Sequence, residues 1–276
     1  MRERGTRRIL WIALGCLGCL GLAAGSVLWR RYGYWLTYHL TPPPPLPDLP
    51  TAAPYTPWPT PTVAEAFDYP LLPADAYAPY VPGVSGPLPV DTRYGFQNPA
   101  MGNNSNCFRD AAGDPVPFGQ LYHAGVDLFA VDDRGQTIWG AATHVPVHAV
   151  ADGVVLYTLD AGSDGEIVIV EHLLPDESAI FSVYWHVDYV QVRRGQPVTR
   201  GQVIAVVMDK GPNSHLHWEM RTFEDGADLF PAGSAGAPGC NGHVAGVGYT
   251  WDDDSTRAHP EVYGYLDPVA FVETHQ

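Results

Sequence analysis

Cationic side chains are scarce in this sequence. Lysine occurs once, at position 210, and the 276 residues carry 15 basic against 30 acidic groups, a formal net charge of −15. Six of the arginines fall within the first 31 residues, where Glu3 is the only acid, so the remainder is more acidic still. A surface of that sign repels phosphate backbones, which argues against nucleic acid as a partner. Long helices are also disfavoured, because 27 prolines and 29 glycines punctuate the chain and helix interiors accommodate both poorly. The hydrophobic content that remains, 46% with 12% aromatic, suffices for one sizeable core or two small ones.

Uncharged apolar runs of membrane length are missing except for Ile9 to Trp29. Four arginines precede this run and Arg30-Arg31 end it. As a helix it would measure roughly 32 Å, close to the hydrocarbon thickness of a bilayer. The arginines predict a cytoplasmic N-terminus and an acidic bulk outside. A secretory signal cleaved near Ala23-Ala24-Gly25 is the alternative, and both readings export the domain. The expected organisation is an N-terminal membrane anchor or signal over residues 1–31, a proline-rich linker over 32–62, an irregular lead-in along the domain surface over 63–90, and a folded domain over 91–276. Ten prolines between Pro42 and Pro61 make the linker an extended spacer.

Cysteine is sparse as well. Cys16 and Cys19 lie inside the apolar run, which leaves Cys107 and Cys240 as the pair in the exported part, where an oxidising compartment predicts a disulfide.

From Asp91 onward, short β-branched runs bounded by Gly, Asp and Pro predict strands at Thr92–Phe96, Val145–Val150, Val154–Leu159, Glu166–His172, Ile180–His186, Tyr189–Val192, Gln202–Val207 and His215–Arg221. The expected class is mainly β, an antiparallel sheet or sandwich. Pro231 to Gly248 reads as a loop long enough to be functional or mobile, and Tyr263 to Val272 as a last segment docking on the core.

The stretch Ser214-His215-Leu216-His217-Trp218-Glu219-Met220 carries the densest chemistry. In a strand, residues two apart face one side, so His215, His217 and Glu219 point together. One imidazole can ligate a metal while the other handles protons. Upstream, His123 and Asp127 stand four residues apart. In a straight strand their α-carbons would be about 13 Å apart, too far to share an ion, so the chain must bend, and Gly125 between them permits it. His123, Asp127 and one further histidine would make three N/O donors, the open pattern of catalytic zinc. Val183-Tyr184-Trp185-His186 adds a histidine at the end of an apolar strand, followed by Gly-Gln corners at 195–196 and 201–202.

His-x-x-x-Asp, then Pro146 to Val155, then Tyr-x-His, the doubled Gly-Gln hairpin and His-Leu-His-Trp-Glu resemble the lysostaphin-type (LytM-like) zinc metallopeptidases in order and spacing, from about Thr92 to Arg221. The resemblance implies the duplicated hybrid fold of that family, a Zn2+ held by His123, Asp127 and His217, and His186 and His215 flanking the bound water and the substrate carbonyl. It implies hydrolysis of peptide bonds in peptidoglycan stem or cross-bridge peptides, outside the cytoplasm. Glu219 is expected to hydrogen-bond a ligand or the nearby backbone. His144, His148 and His172 are expected to be packing or surface residues. The sequence departs from the family in an insertion, Asp132 to Thr143, in a short Met208–Ser214 loop and in a long loop after Arg221, all expected to line the substrate groove. Two other readings exist. One is a non-catalytic cell-wall-binding module or hydrolase activator of the same fold. The other is a lipoyl-type carrier centred on Lys210, which a histidine motif in place of a second half-domain argues against.

Overall fold

The computed structural model describes residues 43–49, 62–79, 92–99, 103–224 and 248–276. The chain divides into two units at Pro42. The first lies outside the described residues, and so does the expected membrane segment. Among the described residues no helix is long and apolar enough to cross a membrane.

The second unit is built on antiparallel strands, as the alternating sequence predicts. In chain order they are β1 (Tyr77–Ala78), β2 (Asn104–Arg109), β3 (Pro115–Pro117), β4 (Tyr122–His123), β5 (Val126–Ala130), β6 (Pro146–His148), β7 (Gly153–Asp160) and β8 (Glu166–Leu173). They continue with β9 (Ala179–Asp188), β10 (Pro197–Val198), β11 (Val203–Val207), β12 (Leu216–Arg221), β13 (Tyr249–Thr250) and β14 (Tyr265–Leu266), and the chain ends in helix α1 (Pro268–Thr274). The main sheet runs β1-β5-β12-β9-β8-β7-β10, with β14 added to β12 and β11 bridging β9 and β6. β4 pairs with β13, and β2 with β3, in two small ribbons.

Alternation along β12 divides its side chains between two faces. Leu216, Trp218 and Met220 enter the main core with Val126, Leu128, Val168, Val170 and Tyr184. On the other face, Ile167, Ile169, Val183 and Trp185 form a second apolar cluster. The register sets His217 opposite Asp127 on β5 and Trp185 on β9. Residues directly opposite in an antiparallel pair project to the same side, so the donors and the second cluster share a face. Strands β8 and β9 are apolar on both sides because both of their faces are covered.

Three expectations are corrected. The lead-in does not simply lie along the surface: Ala64, Phe67 and Leu71 are buried members of the main core. Phe67 packs edge-on against His172 and Phe271, and its N–H donates to the carbonyl of His275. Thr92–Phe96 is a turn rather than a strand, with Gly95 at φ 73°. Tyr189–Val192 leaves the sheet because Tyr189 adopts φ 50°, a left-handed conformation that no strand continues.

Strand β9 contains the irregularity that matters most for the site. Glu166 pairs with Val187 and Ile167 with Trp185, so His186 is an extra residue on β9. Its φ of 59° is left-handed. This is a β-bulge, which lifts one side chain out of the alternating order and re-aims it. Beyond it, Val187 and Asp188 pair with β11.

Candidate metal centre

Strands β4, β5 and β12 each supply one donor. His123 ends β4, whose backbone is held by Gly95, Phe96 and the β13 residue Tyr249. The chain bends at Ala124-Gly125 before Asp127 enters β5. Gly125 is required there because an added Cβ would lie 2.5 Å from the Trp218 carbonyl oxygen. Its lack of a side chain matters as close approach rather than as backbone freedom.

His123 Nε2 lies 3.0 Å from His217 Nδ1 and 3.3 Å from Asp127 Oδ1, and the latter two atoms are 2.9 Å apart. His123, Asp127 and His217 are all buried and form the group of potential metal donors found among the described residues. Donor atoms this close together could share one ion at the roughly 2.0–2.2 Å reach of zinc to nitrogen and oxygen, and three protein donors would leave a fourth position for water. Two imidazoles and one carboxylate suit that ion chemically.

The electrostatics fit the same assignment. Burial opposes ionisation of Asp127, but the imidazoles of His123 and His215 outweigh it and hold the carboxyl well below the usual range. Burial likewise disfavours a charged His217, yet hydrogen bonds to Asp127 and Glu219 raise it to about 9. Glu219 is fully buried, and its Oε1 accepts from His217 Nε2 at 2.9 Å. A carboxylate behind a ligating histidine fixes its tautomer and raises its basicity. Arg221 follows two residues on, with Nη1 3.9 Å from Glu219 Oε2. Asp127 on β5 and His217, Glu219 and Arg221 along β12 thus form one continuous polar row on this face of the sheet.

His215 stands beside this group without joining it. Its Nδ1–H donates to the Asn213 carbonyl at 2.7 Å, and Nε2 lies 3.7 Å from Asp127 Oδ2. Phe129 stacks on the ring at 4.8 Å. The His186 ring is 4.8 Å from that of His215 and 6.4 Å from that of His217. Burial, with help from neighbouring cations, holds His186 well below its ordinary value, and burial also lowers His215. Both rings are neutral at pH 7.

The remaining histidines stand apart. His144 Nδ1 bonds the Pro44 carbonyl and His148 Nδ1 that of Gly201. His172 is buried between the Asp152 carbonyl and Ser182 Oγ. The inserted segment reaches the site edge, where Trp139 packs against Phe129 and Thr143 Oγ1 donates to Ser214 Oγ. Cys107 is buried with Phe108, Val116 and Leu121 and is disulfide-bonded, while Cys240 lies outside the described residues.

Three site residues escaped the sequence reading. Gly248, at φ 73°, presses on His217: an added Cβ would lie 2.9 Å from Cε1. Tyr249 sets its ring 5.3 Å from that of His123. Lys210 reaches His186 Nδ1 at 3.2 Å. For the first two, the only sequence signal is their place at the end of the loop long enough to be functional or mobile.

Residues 122–231 match the model of Peptidase family M23. The sequence matches no curated protein. Among solved structures, a zinc-containing peptidase from Vibrio cholerae is 24% identical, with a TM-score of 0.31, over 57% of this chain and 37% of that one. A putative peptidase M23 from Pseudomonas aeruginosa is 27% identical, with a TM-score of 0.27, over 43% and 47%. The catalytic domain of lysostaphin from Staphylococcus simulans is 20% identical, with a TM-score of 0.27, over 48% and 79%. The chain thus spans less than half the length of the first two. The matched segment contains the whole His123, Asp127 and His217 cluster together with His186 and His215, so it is through these residues that the chain is similar to peptidase family M23.

Proposed function

We propose that this chain is a zinc metalloendopeptidase that hydrolyses peptide bonds in the stem or cross-bridge peptides of peptidoglycan, outside the cytoplasm. The observation that carries the reading is the convergence of three buried donor atoms within 3.3 Å of one another, with two neutral imidazoles alongside. His123, Asp127 and His217 hold the ion. Zinc bound there supplies Lewis acidity and a water activated near neutral pH.

The protein's own groups carry the protons. Because Nδ1 of His215 donates to a backbone carbonyl, Nε2 bears the lone pair and serves as the base. The water oxygen bonds to the carbonyl carbon while one of its protons passes to His215. Collapse breaks the C–N bond, that proton goes to the leaving nitrogen, and a carboxylic acid and an amine result, which at neutral pH exchange the remaining proton to become carboxylate and ammonium. Phe129 stacked on His215 holds the ring in plane and excludes water from its face.

Export rests on the arginine-flanked run Ile9 to Trp29, which anchors the domain in this reading, and the proline spacer holds it away from the bilayer. The purified chain incubated with sacculi should release muropeptides bearing new amino ends. A chelator should stop release and added zinc restore it. Sacculi from several wall types left intact would overturn the proposal in favour of a non-catalytic wall-binding role.

A further inference from the structure

Lys210 is the only lysine in the chain, and its side chain is held inward, 19% exposed. Its Nζ donates to Asp164 Oδ1 at 2.8 Å and lies 3.2 Å from His186 Nδ1. The same Nδ1 is 3.0 Å from the backbone carbonyl of Asp164. Asp164 sits in the turn between β7 and β8, and that turn is wedged in place: a Cβ on Gly165 would lie 2.7 Å from both Met208 Sδ and the Val187 carbonyl oxygen. Lysine, turn and bulged histidine therefore form one packed unit. It is separate from the three metal donors.

The two neighbours of Nδ1 make incompatible demands. A carbonyl can only accept, so it needs a proton on Nδ1. An ammonium can only donate, so it needs a lone pair there. With a proton on Nδ1, two donors would face each other at 3.2 Å. With a lone pair, the ammonium makes a charge-assisted bond, roughly twice as strong as the neutral alternative. Lys210 keeps its bond to Asp164 Oδ1 in either case.

We propose that Lys210 is a positioning residue that fixes His186 with its proton on Nε2, making this ring the hydrogen-bond donor to the developing oxyanion. The inference rests on the peptidase reading above and divides its labour. His215, locked by Asn213, presents a lone pair. His186, 4.8 Å away and locked by Lys210, presents an N–H. The two rings carry opposite tautomers, so one accepts the water's proton while the other steadies the carbonyl oxygen. Lys210 lies in the short Met208–Ser214 loop that leads into β12.

The test reads the tautomer directly, by side-chain nitrogen NMR of the full chain labelled at histidine, with His186→Gln for assignment. Wild type and Lys210→Arg should show His186 protonated on Nε2. Lys210→Met should move the proton to Nδ1. The same move should follow acetylation of Lys210 on the folded protein, a single-lysine modification that needs no mutant to fold. On sacculi, Lys210→Met should lose about 100-fold in kcat, with KM and zinc content unchanged and most activity regained in Lys210→Arg. A wild-type His186 protonated on Nδ1, or a tautomer unmoved in both Lys210→Met and the acetylated protein, would overturn the proposal. Equal kcat in wild type and Lys210→Met would overturn the donor role. If the tautomer moves as expected while wild type cuts no sacculi, the peptidase reading fails and the lysine–histidine lock stands.

Discussion

Glu219 on β12 and His215 just before that strand flank the same ligand and do different work, which single substitutions can separate. Glu219 touches His217 and not the donors' open side. Glu219→Gln keeps the shape and removes the charge, so zinc affinity should fall about tenfold in competition with a chromogenic chelator, the low end for such partners. His215→Gln should retain about one zinc per chain while hydrolysis of sacculi falls at least roughly 100-fold, the scale of a lost general base. Loss of zinc in His215→Gln would mean that it ligates. The alternation that sets 215, 217 and 219 on one face is legible from the sequence, because a strand's period is two. In the sequence Lys210 stands out as the lone lysine and as the centre of a carrier reading, not as a neighbour of His186. Its partners lie 24 and 46 residues away, and nothing local announces them.

Among the elements, the junction of β4 and β5 and the bulge in β9 bring the donors and their neighbours together. A Cβ at Gly125 would collide with the β12 backbone, so Gly125→Ala should cost roughly 1–3 kcal/mol in urea unfolding, as overpacking does, and should lower zinc content as Asp127 shifts. Strands β8 and β9 are also tied by a buried polar chain. His172 Nδ1–H donates to the Asp152 carbonyl, and Ser182 Oγ links His172 Nε2 to Tyr184 Oη, which accepts from Val150 N–H. Burial lowers His172 to about 4, although its bond to Asp152 opposes this. The unfolded chain takes up this proton below about 6.5 while the folded protein refuses it until about 4, so this contribution to stability is complete above pH 6.5 and declines as pH falls. Relative to His172→Gln, the wild type should lose about 3 kcal/mol more between pH 6.5 and 4 in urea titrations. The strands from β7 to β12 were readable as β-branched runs between turn residues. The bulge was not, because an extra residue shows only in the partner's register.

For the molecule as a whole, the sequence supplied the class and missed the extent of the core. The lead-in looked structureless because proline and alanine hide its period, yet Phe67 packs on Phe271 of α1 and Leu71 is buried in the main core, a tertiary fact with no local pattern behind it. Removing residues 62–71 should therefore expose apolar core and yield an aggregating or dye-binding protein, measured by sedimentation and fluorescence. Cys107 is expected to pair with Cys240. Peptide mapping without reductant should recover the two peptides joined, and recovery with any other partner would refute that pairing.

Strand β12 carries chemistry on one side and core on the other, residue by residue: His217 and Glu219 alternate with Leu216, Trp218 and Met220. The site consequently has no melting behaviour of its own. Heating should erase hydrolysis and tertiary signal at a common midpoint, without an earlier inactivation step, and core variants that lower one midpoint should lower the other equally. For anyone selecting a sturdier protein, repacking beneath Trp218 is a direct handle on how long the site survives.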